Sequence, residues 1–355
     1  MKKINSLKDA NDTEYRLRNS VAHKLTDFYS GMMAARNKKV ISTGFKRLDN
    51  LLGGGLYSGL YFIGAISSLG KTTFMLQMMD NIAKSGNDVL IFSLEMASTE
   101  LMAKSISRLT LDISLREQHT NNVHRKTTTH AKTTRSILNG NVLDEPELIG
   151  KALEEYGTYA EHIYITEGMG NIGVADITKK VQRHIETTGR KPVVLIDYLQ
   201  ILSPKDPHFT DKQNTDQAVV ELKRLSRDFD ISVIGISSFN RMSYDEPVSM
   251  VSFKESGAVE YSSDVLMALQ YTGMDYQNGE SETKRKARIR ELISSELQKA
   301  NNFEEQEIQL KVLKNRNGRK GDCIFGFTPV FNRFSESKDE FVSSSDSNNN
   351  IKIKI

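Results

Sequence analysis

Cysteine is nearly absent. Cys323 stands alone among 355 residues, which excludes an internal disulfide framework and fits a reducing, cytoplasmic setting. Long apolar runs are also missing, so no bilayer-crossing segment and no membrane partner are expected. The N-terminus, MKKINSLKDANDTEYRLRNS, opens with Lys2 and Lys3 but has no apolar stretch behind them, and does not read as a secretory signal. Nor is there an excess of one charge. Lys and Arg number 48 against 45 Asp and Glu, a net +3, too little to argue for nucleic acid by itself. What remains is a chain 38% hydrophobic and 26% charged, globular in character and long enough for one large domain or two small ones.

Composition separates three regions. Residues 1–40 are polar apart from one amphipathic stretch, in which Val21, Leu25, Phe28, Met32 and Met33 recur at helical spacing. That stripe packs either on its own chain or on a neighbouring subunit. Residues 41–335 alternate apolar runs with helical patterns. LYFIGA (60–65), DVLIFSLE (88–95), HIYITEG (162–168), PVVLIDYLQIL (192–202) and ISVIGISS (231–238) lack polar alternation, as strands of a parallel sheet covered on both faces require. Between them TTFMLQMMDNIAK, VADITKKVQRHIETT and TDQAVVELKRLSRDF read as helices. The last places Ala218, Leu222, Leu225 and Phe229 on one face, with Lys223, Arg224 and Arg227 outside it. The predicted fold is therefore α/β, with a mainly parallel sheet flanked by helices. EIQLKVLKNR and GDCIFGFTP, separated by Asn317-Gly318 and neighbours, read as a C-terminal β-hairpin. Residues 112–135 are polar and basic, with His119, His124 and His130; their spacing fits no common metal site, so a loop is expected. The tail, residues 336–355, has the low-complexity composition of a disordered segment.

The chemistry concentrates in GAISSLGKTTF, residues 64–74. Gly70-Lys71-Thr72 ends it like a phosphate-binding loop, yet Ala65 stands where the pattern G-x-x-x-x-G-K-[ST] has its first glycine. That position mainly has to be small, and alanine satisfies it at negative φ, with Gly64 adding freedom just before it. A strand precedes the loop and a helix follows, which is the context that a polyphosphate site needs. Ala65, Ser67, Ser68, Gly70, Lys71, Thr72 and Thr73 are thus the candidate ATP-binding loop. Lys71 would reach the β/γ oxygens and Thr72 would ligate Mg²⁺. A second metal-holding group is required from a neighbouring strand. Asp197, ending VVLID, sits where open α/β sheets bind ligands. Glu95, ending VLIFSLE, is the candidate that polarises the attacking water.

Taken together, ISTGFKRLDNLLGGGLYSGLYFIGAISSLGKTTF, IFSLEM, LIDYLQIL, SFNR, FKESGAVE and KNRNGRKG occur in the order found in DnaB-type bacterial replicative DNA helicases. The chain resembles the C-terminal RecA-like motor domain of that family over roughly residues 40–335, and alanine at the loop's first position is common there. The resemblance implies an ATP-dependent helicase that binds single-stranded DNA and works as a hexameric ring. Lys71, Thr72, Asp197 and Glu95 keep the roles given above. Lys254, Glu255 and Gly257 fall in a loop resembling the one that tracks single-stranded DNA, with Lys254 where arginine is common. Lys314 and Arg316 match the pair that reaches into the ATP site of the next subunit.

Two departures from the family stand out. Ser238 replaces the glutamine that senses the γ-phosphate, which bears on how hydrolysis is coupled to movement. The family's helical N-terminal domain, which recruits primase, has no counterpart; the first 40 residues resemble only the linker helix. A stand-alone motor of a phage, plasmid or mobile element is the expectation, with a primase or helicase loader as further partners. A DNA-dependent ATPase of RecA fold that does not unwind, a recombination mediator or clock-type protein, is the alternative. A non-catalytic assembly subunit is disfavoured by Glu95 and Asp197.

Overall fold

The structure is a computed structural model and describes residues 13–16, 20–35, 40–66, 68–120, 130–168, 172–204, 206, 208–239, 244–253 and 257–336. The chain divides into two compact units, Met1–Val40 and Ile41–Ile355. In the first, the amphipathic stretch forms helix α1 (Val21–Ala35). Its Val21, Leu25, Phe28, Met32 and Met33 are exposed.

The second unit contains strands β1 (Gly59–Ala65), β2 (Val89–Ser93), β3 (Ile163–Glu167), β4 (Val193–Asp197), β5 (Ser232–Ser238), β6 (Val265–Tyr271), β7 (Gln306–Asn315), β8 (Gly321–Thr328) and β9 (Arg333–Glu336). They form one nine-stranded sheet in the order β3-β2-β4-β5-β1-β6-β7-β8-β9. The first six run parallel and the last three antiparallel. Helices α2 (Lys46–Leu52), α3 (Lys71–Lys84), α4 (Ser98–Thr120), α5 (Thr134–Leu138), α6 (Pro146–Gly157), α7 (Val174–Thr188), α8 (Asp211–Asp228), α9 (Gly257–Ser262) and α10 (Glu282–Asn301) complete it.

Local chemistry sets these boundaries. Thr210 caps α8 by accepting from the Gln213 N–H while the Gln213 side chain returns to the Thr210 N–H, a reciprocal arrangement that satisfies two orphan donors. Gly189 ends α7 in the left-handed region at φ 68°, where a Cβ is costly. Strands β1, β4 and β6 are buried throughout, as the continuous apolar runs require. Phe74 of α3 stacks on Phe45 at 5.0 Å and meets Phe325 and Phe334 edge-on at 5.2 and 5.1 Å. Each ring removed from water stabilises by about 2–3 kcal/mol, so the helix that follows the Gly70-Lys71-Thr72 loop is fastened to the C-terminal strands.

Three readings need correction. The strand at 163–167 is not buried: it lies on the sheet edge, and Tyr164 and Glu167 are exposed. Residues 112–120 are the last turns of α4 rather than a loop, because Leu111, Ile113 and Ser114 continue the buried face of that helix; residues 121–129 lie outside the described part. Apolar contact on α8 is carried by Val219, Leu222 and Leu225, with Ala218 and Phe229 only half-buried. The hairpin at 306–328 forms as expected, and β9 adds one more antiparallel strand to it.

Candidate functional site

Strands β2, β4, β5 and β1 lie side by side, and being parallel they deliver their C-terminal ends to one edge of the sheet. Register then does the rest. Ala65 pairs with Ser238 and Ser93 with Asp197. The Leu94 N–H donates to the Asp197 carbonyl at 2.7 Å, and the Ser93 hydroxyl donates to the Met96 carbonyl at 2.6 Å. Those two bonds turn the chain sharply after β2 and leave Glu95 exposed beside Asp197.

The loop between β1 and α3 enters the left-handed region at Ser68, φ 66°, and again at Gly70, φ 80°. Gly70 has a second constraint, since a Cβ there would lie 2.7 Å from Phe327. Gly64 serves differently from the expectation that it adds backbone freedom. Its φ is not positive; a Cβ would fall 2.3 Å from the Phe239 ring and 2.5 Å from Phe253. Only hydrogen fits beneath those two rings. Lys71 donates to the carbonyls of Ala65 and Ile66 at 3.0 and 3.2 Å, which curls its ammonium into the loop.

A cleft of about 560 Å³ opens here, lined by Ser68, Gly70, Lys71, Thr72, Thr73, Glu95, Asp197 and Ser238 from the predicted set. Ser67 falls outside the described residues. A second cleft of about 560 Å³ runs between α7 and α8, and none of the candidate site residues borders it. Burial pushes the Asp197 carboxyl up from 3.8 to about 6, with the neighbouring Glu95 charge adding to the rise; the Thr72 hydroxyl, Lys71 and Lys104 oppose it. Burial lowers the Lys71 ammonium, opposed by Asp197 and Glu95. A buried carboxylate with a hydroxyl beside it fits a divalent cation held by Thr72 and Asp197. Among the described residues no group of three or more His, Cys, Asp and Glu could hold a metal by itself.

Some of the lining was not foreseen. Lys104 of α4 borders the cleft, donates to Asn332 Oδ1 at 3.0 Å, and has its ammonium lowered by burial. Phe327, Pro329 and Asn332 add a wall from the C-terminal strands. A signal for Lys104 did exist: it shares a helical stripe with buried Leu101 and Arg108, and a cation on a core-facing stripe needs a partner.

Lys314 and Arg316 are elsewhere. Lys314 donates to the carbonyls of Glu260 and Tyr261, and Arg316 to that of Tyr261 at 2.6 Å. The Arg316 N–H donates to the Asp264 carbonyl, and the Asp264 N–H to that of Leu60. Arg316 is thus level with Leu60, whereas the loop begins at Ala65, five residues on along β1, or about 17 Å at about 3.3 Å per residue. Within one chain the pair and the loop occupy opposite ends of the sheet. Of the predicted DNA-facing residues, Gly257 opens α9, while Lys254 and Glu255 lie outside the described part. Among the described residues no helix is long and apolar enough to cross a membrane.

Comparison with known proteins agrees with this geometry. The replicative DNA helicase DnaB of Geobacillus stearothermophilus is 28% identical over 302 residues, covering 83% of this chain and 56% of that protein. The replicative DNA helicase DnaC of Bacillus subtilis is 28% identical over 323 residues, covering 87% of this chain and 60% of that one. The chain therefore spans little more than half the length of these relatives. A solved ATPase domain superposes with a TM-score of 0.68 at 22% identity, over 90% of this chain and 99% of that one. A DnaB-like replicative helicase, solved in a study of its interactions with primase, superposes at 0.64 and 21% identity, over 94% and 72%. These likenesses show the RecA-like helicase ATPase fold. With the model of the DnaB-like helicase C terminal domain matching residues 40–336, the chain belongs to that family.

Proposed function

We propose that the chain is an ATP-driven DNA helicase motor of the cytoplasm, binding single-stranded DNA and working as a hexameric ring. In this reading residues 1–40 are the linker, 41–335 the motor and 336–355 the tail. The observation that carries it is the split constellation: Lys71, Thr72, Glu95, Asp197 and Ser238 meet at one cleft, while Lys314 and Arg316 sit at the far end of the sheet. A head-to-tail contact that closes into a ring brings each pair to the next subunit's cleft. Support for DNA as the track comes from family membership and from the basic-Glu-Ser-Gly stretch that ends at Gly257. A primase or helicase loader is a further partner on the same footing.

The residues then divide the work. Backbone N–H groups of the Ser68–Thr73 turn and the start of α3 hold the polyphosphate of ATP, and Lys71 neutralises its terminal oxygens. Asp197 and Thr72 would hold Mg²⁺, which would offset the charge of the phosphates. Glu95, exposed to solvent at the cleft, orients and polarises a water. Lys104 adds positive charge from α4.

Ser238 favours a second reading, an ATPase of the same fold that binds DNA without unwinding it. Its hydroxyl is shorter than the glutamine amide that the family resemblance leads one to expect there. Displacement of a strand from a forked duplex with ATP separates the two: displacement supports the helicase, and hydrolysis stimulated by single strands without displacement supports the second reading.

A further inference from the structure

Adjacent antiparallel strands need only a short turn between them, yet β6 and β7 are joined through the 20-residue helix α10. The helix contributes little to the core, burying only Ile289 and Glu296. Its first half carries Lys284, Arg285, Lys286, Arg288 and Arg290, cations placed at the helix end where the macrodipole disfavours them. Carboxylates from outside the helix offset that cost. Arg285 grips Glu246 with Nε and Nη2 at 3.0 and 3.1 Å, and its guanidinium lies 4.8 Å from the Tyr276 ring centre. Arg290 holds Asp245 at 2.9 and 2.6 Å. The Arg285–Glu246 pair is well shielded, at 15% and 24% side-chain exposure, and is a two-pronged, charge-assisted contact of the strong kind. Beside it, the Val248 N–H donates to Gln270 Oε1 at 2.9 Å, and the fully buried Gln270 amide is fixed in turn by Asp275 and Gln309.

Thus the stretch 245–248 is held at consecutive points by β6 and α10. That stretch belongs to the connection between Ser238, at the nucleotide cleft, and Gly257, at the end of the proposed DNA-tracking loop. Phe239 and Phe253, near its two ends, pack together at 4.9 Å over Gly64.

We propose that Arg285 and Arg290 are positioning residues: α10 is a clamp that fixes the 245–248 stretch, and the response of the motor to single-stranded DNA depends on that stretch being held. The consequence for DNA rests on the function proposed above; the clamp itself does not, and two measurements on the full chain keep them apart. The first is amide hydrogen exchange. In Arg285→Ala, exchange across 244–253 should quicken by about tenfold or more, with β6 and β7 protected as in the parent. The second is hydrolysis as a function of oligothymidylate concentration. Basal hydrolysis should stay within about twofold, while the concentration for half-maximal stimulation rises by about tenfold. The charge exchange Arg285→Glu with Glu246→Arg should restore both, which general loss of folding would not allow. Unchanged exchange over 244–253 overturns the clamp. Faster exchange with an unchanged oligothymidylate response overturns its role toward DNA. A parent whose hydrolysis ignores oligothymidylate overturns the functional reading, leaving the exchange result to decide the clamp.

Discussion

Replacing Asp197 with asparagine should stabilise the protein when neither metal nor nucleotide is present, although the residue is assigned an indispensable role. Asp197 is 4% exposed, and its carboxyl is displaced from 3.8 to about 6, chiefly by burial. Each unit of displacement corresponds to about 1.4 kcal/mol, so ionising the carboxylate in the folded state costs about 3 kcal/mol above pH 6. The sign follows from proton binding. Between 3.8 and about 6 the folded state binds more protons than the unfolded one, so stability falls as pH rises through that window. The penalty is absent below 3.8, about half developed at pH 5, and complete at pH 8. Asparagine keeps an acceptor for the Thr72 hydroxyl and carries no charge, but its amide protons need partners, which returns about 1 kcal/mol. The net gain is about 2 kcal/mol at pH 8. With an unfolding entropy of about 2.1 cal/mol/K per residue, or about 0.6 kcal/mol/K for a domain of this size, Tm should rise by about 3 °C. Calorimetric or fluorescence melts of parent and Asp197→Asn in EDTA at pH 8 and pH 5 test this. The gain should shrink at pH 5, and Mg²⁺ with a non-hydrolysable nucleotide should raise only the parent. A variant melting below the parent at pH 8 in EDTA, or a difference independent of pH, would refute the argument.

Glu95→Gln should bind nucleotide like the parent and turn over at least about a hundredfold more slowly; hydrolysis at the parent rate removes Glu95 from catalysis. Arg316→Ala should lower the rate by about a thousandfold or more, and mixing it with Lys71→Ala should restore part of the ATPase at interfaces that pair an intact loop with an intact arginine. No recovery in verified mixed oligomers would mean that both residues serve one subunit. Gly64→Ala should cost about 1–3 kcal/mol through overpacking, since its Cβ would meet Phe239 and Phe253 at 2.3 and 2.5 Å; a variant melting with the parent would contradict that packing.

The site was legible where chemistry and backbone geometry are written in adjacent residues. Gly70-Lys71-Thr72 follows its strand directly, and Asp197 ends an apolar run, so strand register alone brings them together. Asn332 was not legible, because what makes it a lining residue is the approach of α4 to the last strands, a tertiary event. Residues 112–120 read as loop because their letters are mostly polar, yet Ile113 and Ser114 follow Leu111 onto the buried face and keep α4 on the core. Strand β3 looked buried from its β-branched letters, but being outermost in the sheet is a property of strand order. Gly64 was assigned the wrong reason, backbone freedom, when two distant rings decide it.

Those two rings have one more consequence. The chain leaves the sheet after Ser238 and comes back to Gly64 at Phe253, so departure and return share a single anchor. Strain or movement between those two rings is thus confined at the neck. Between those ends Asp245, Glu246 and Val248 are held again by Arg290, Arg285 and Gln270. A substitution between those held points is therefore kept from the cleft wall at Ser238, because the Phe239–Phe253 contact over Gly64 stays where it is.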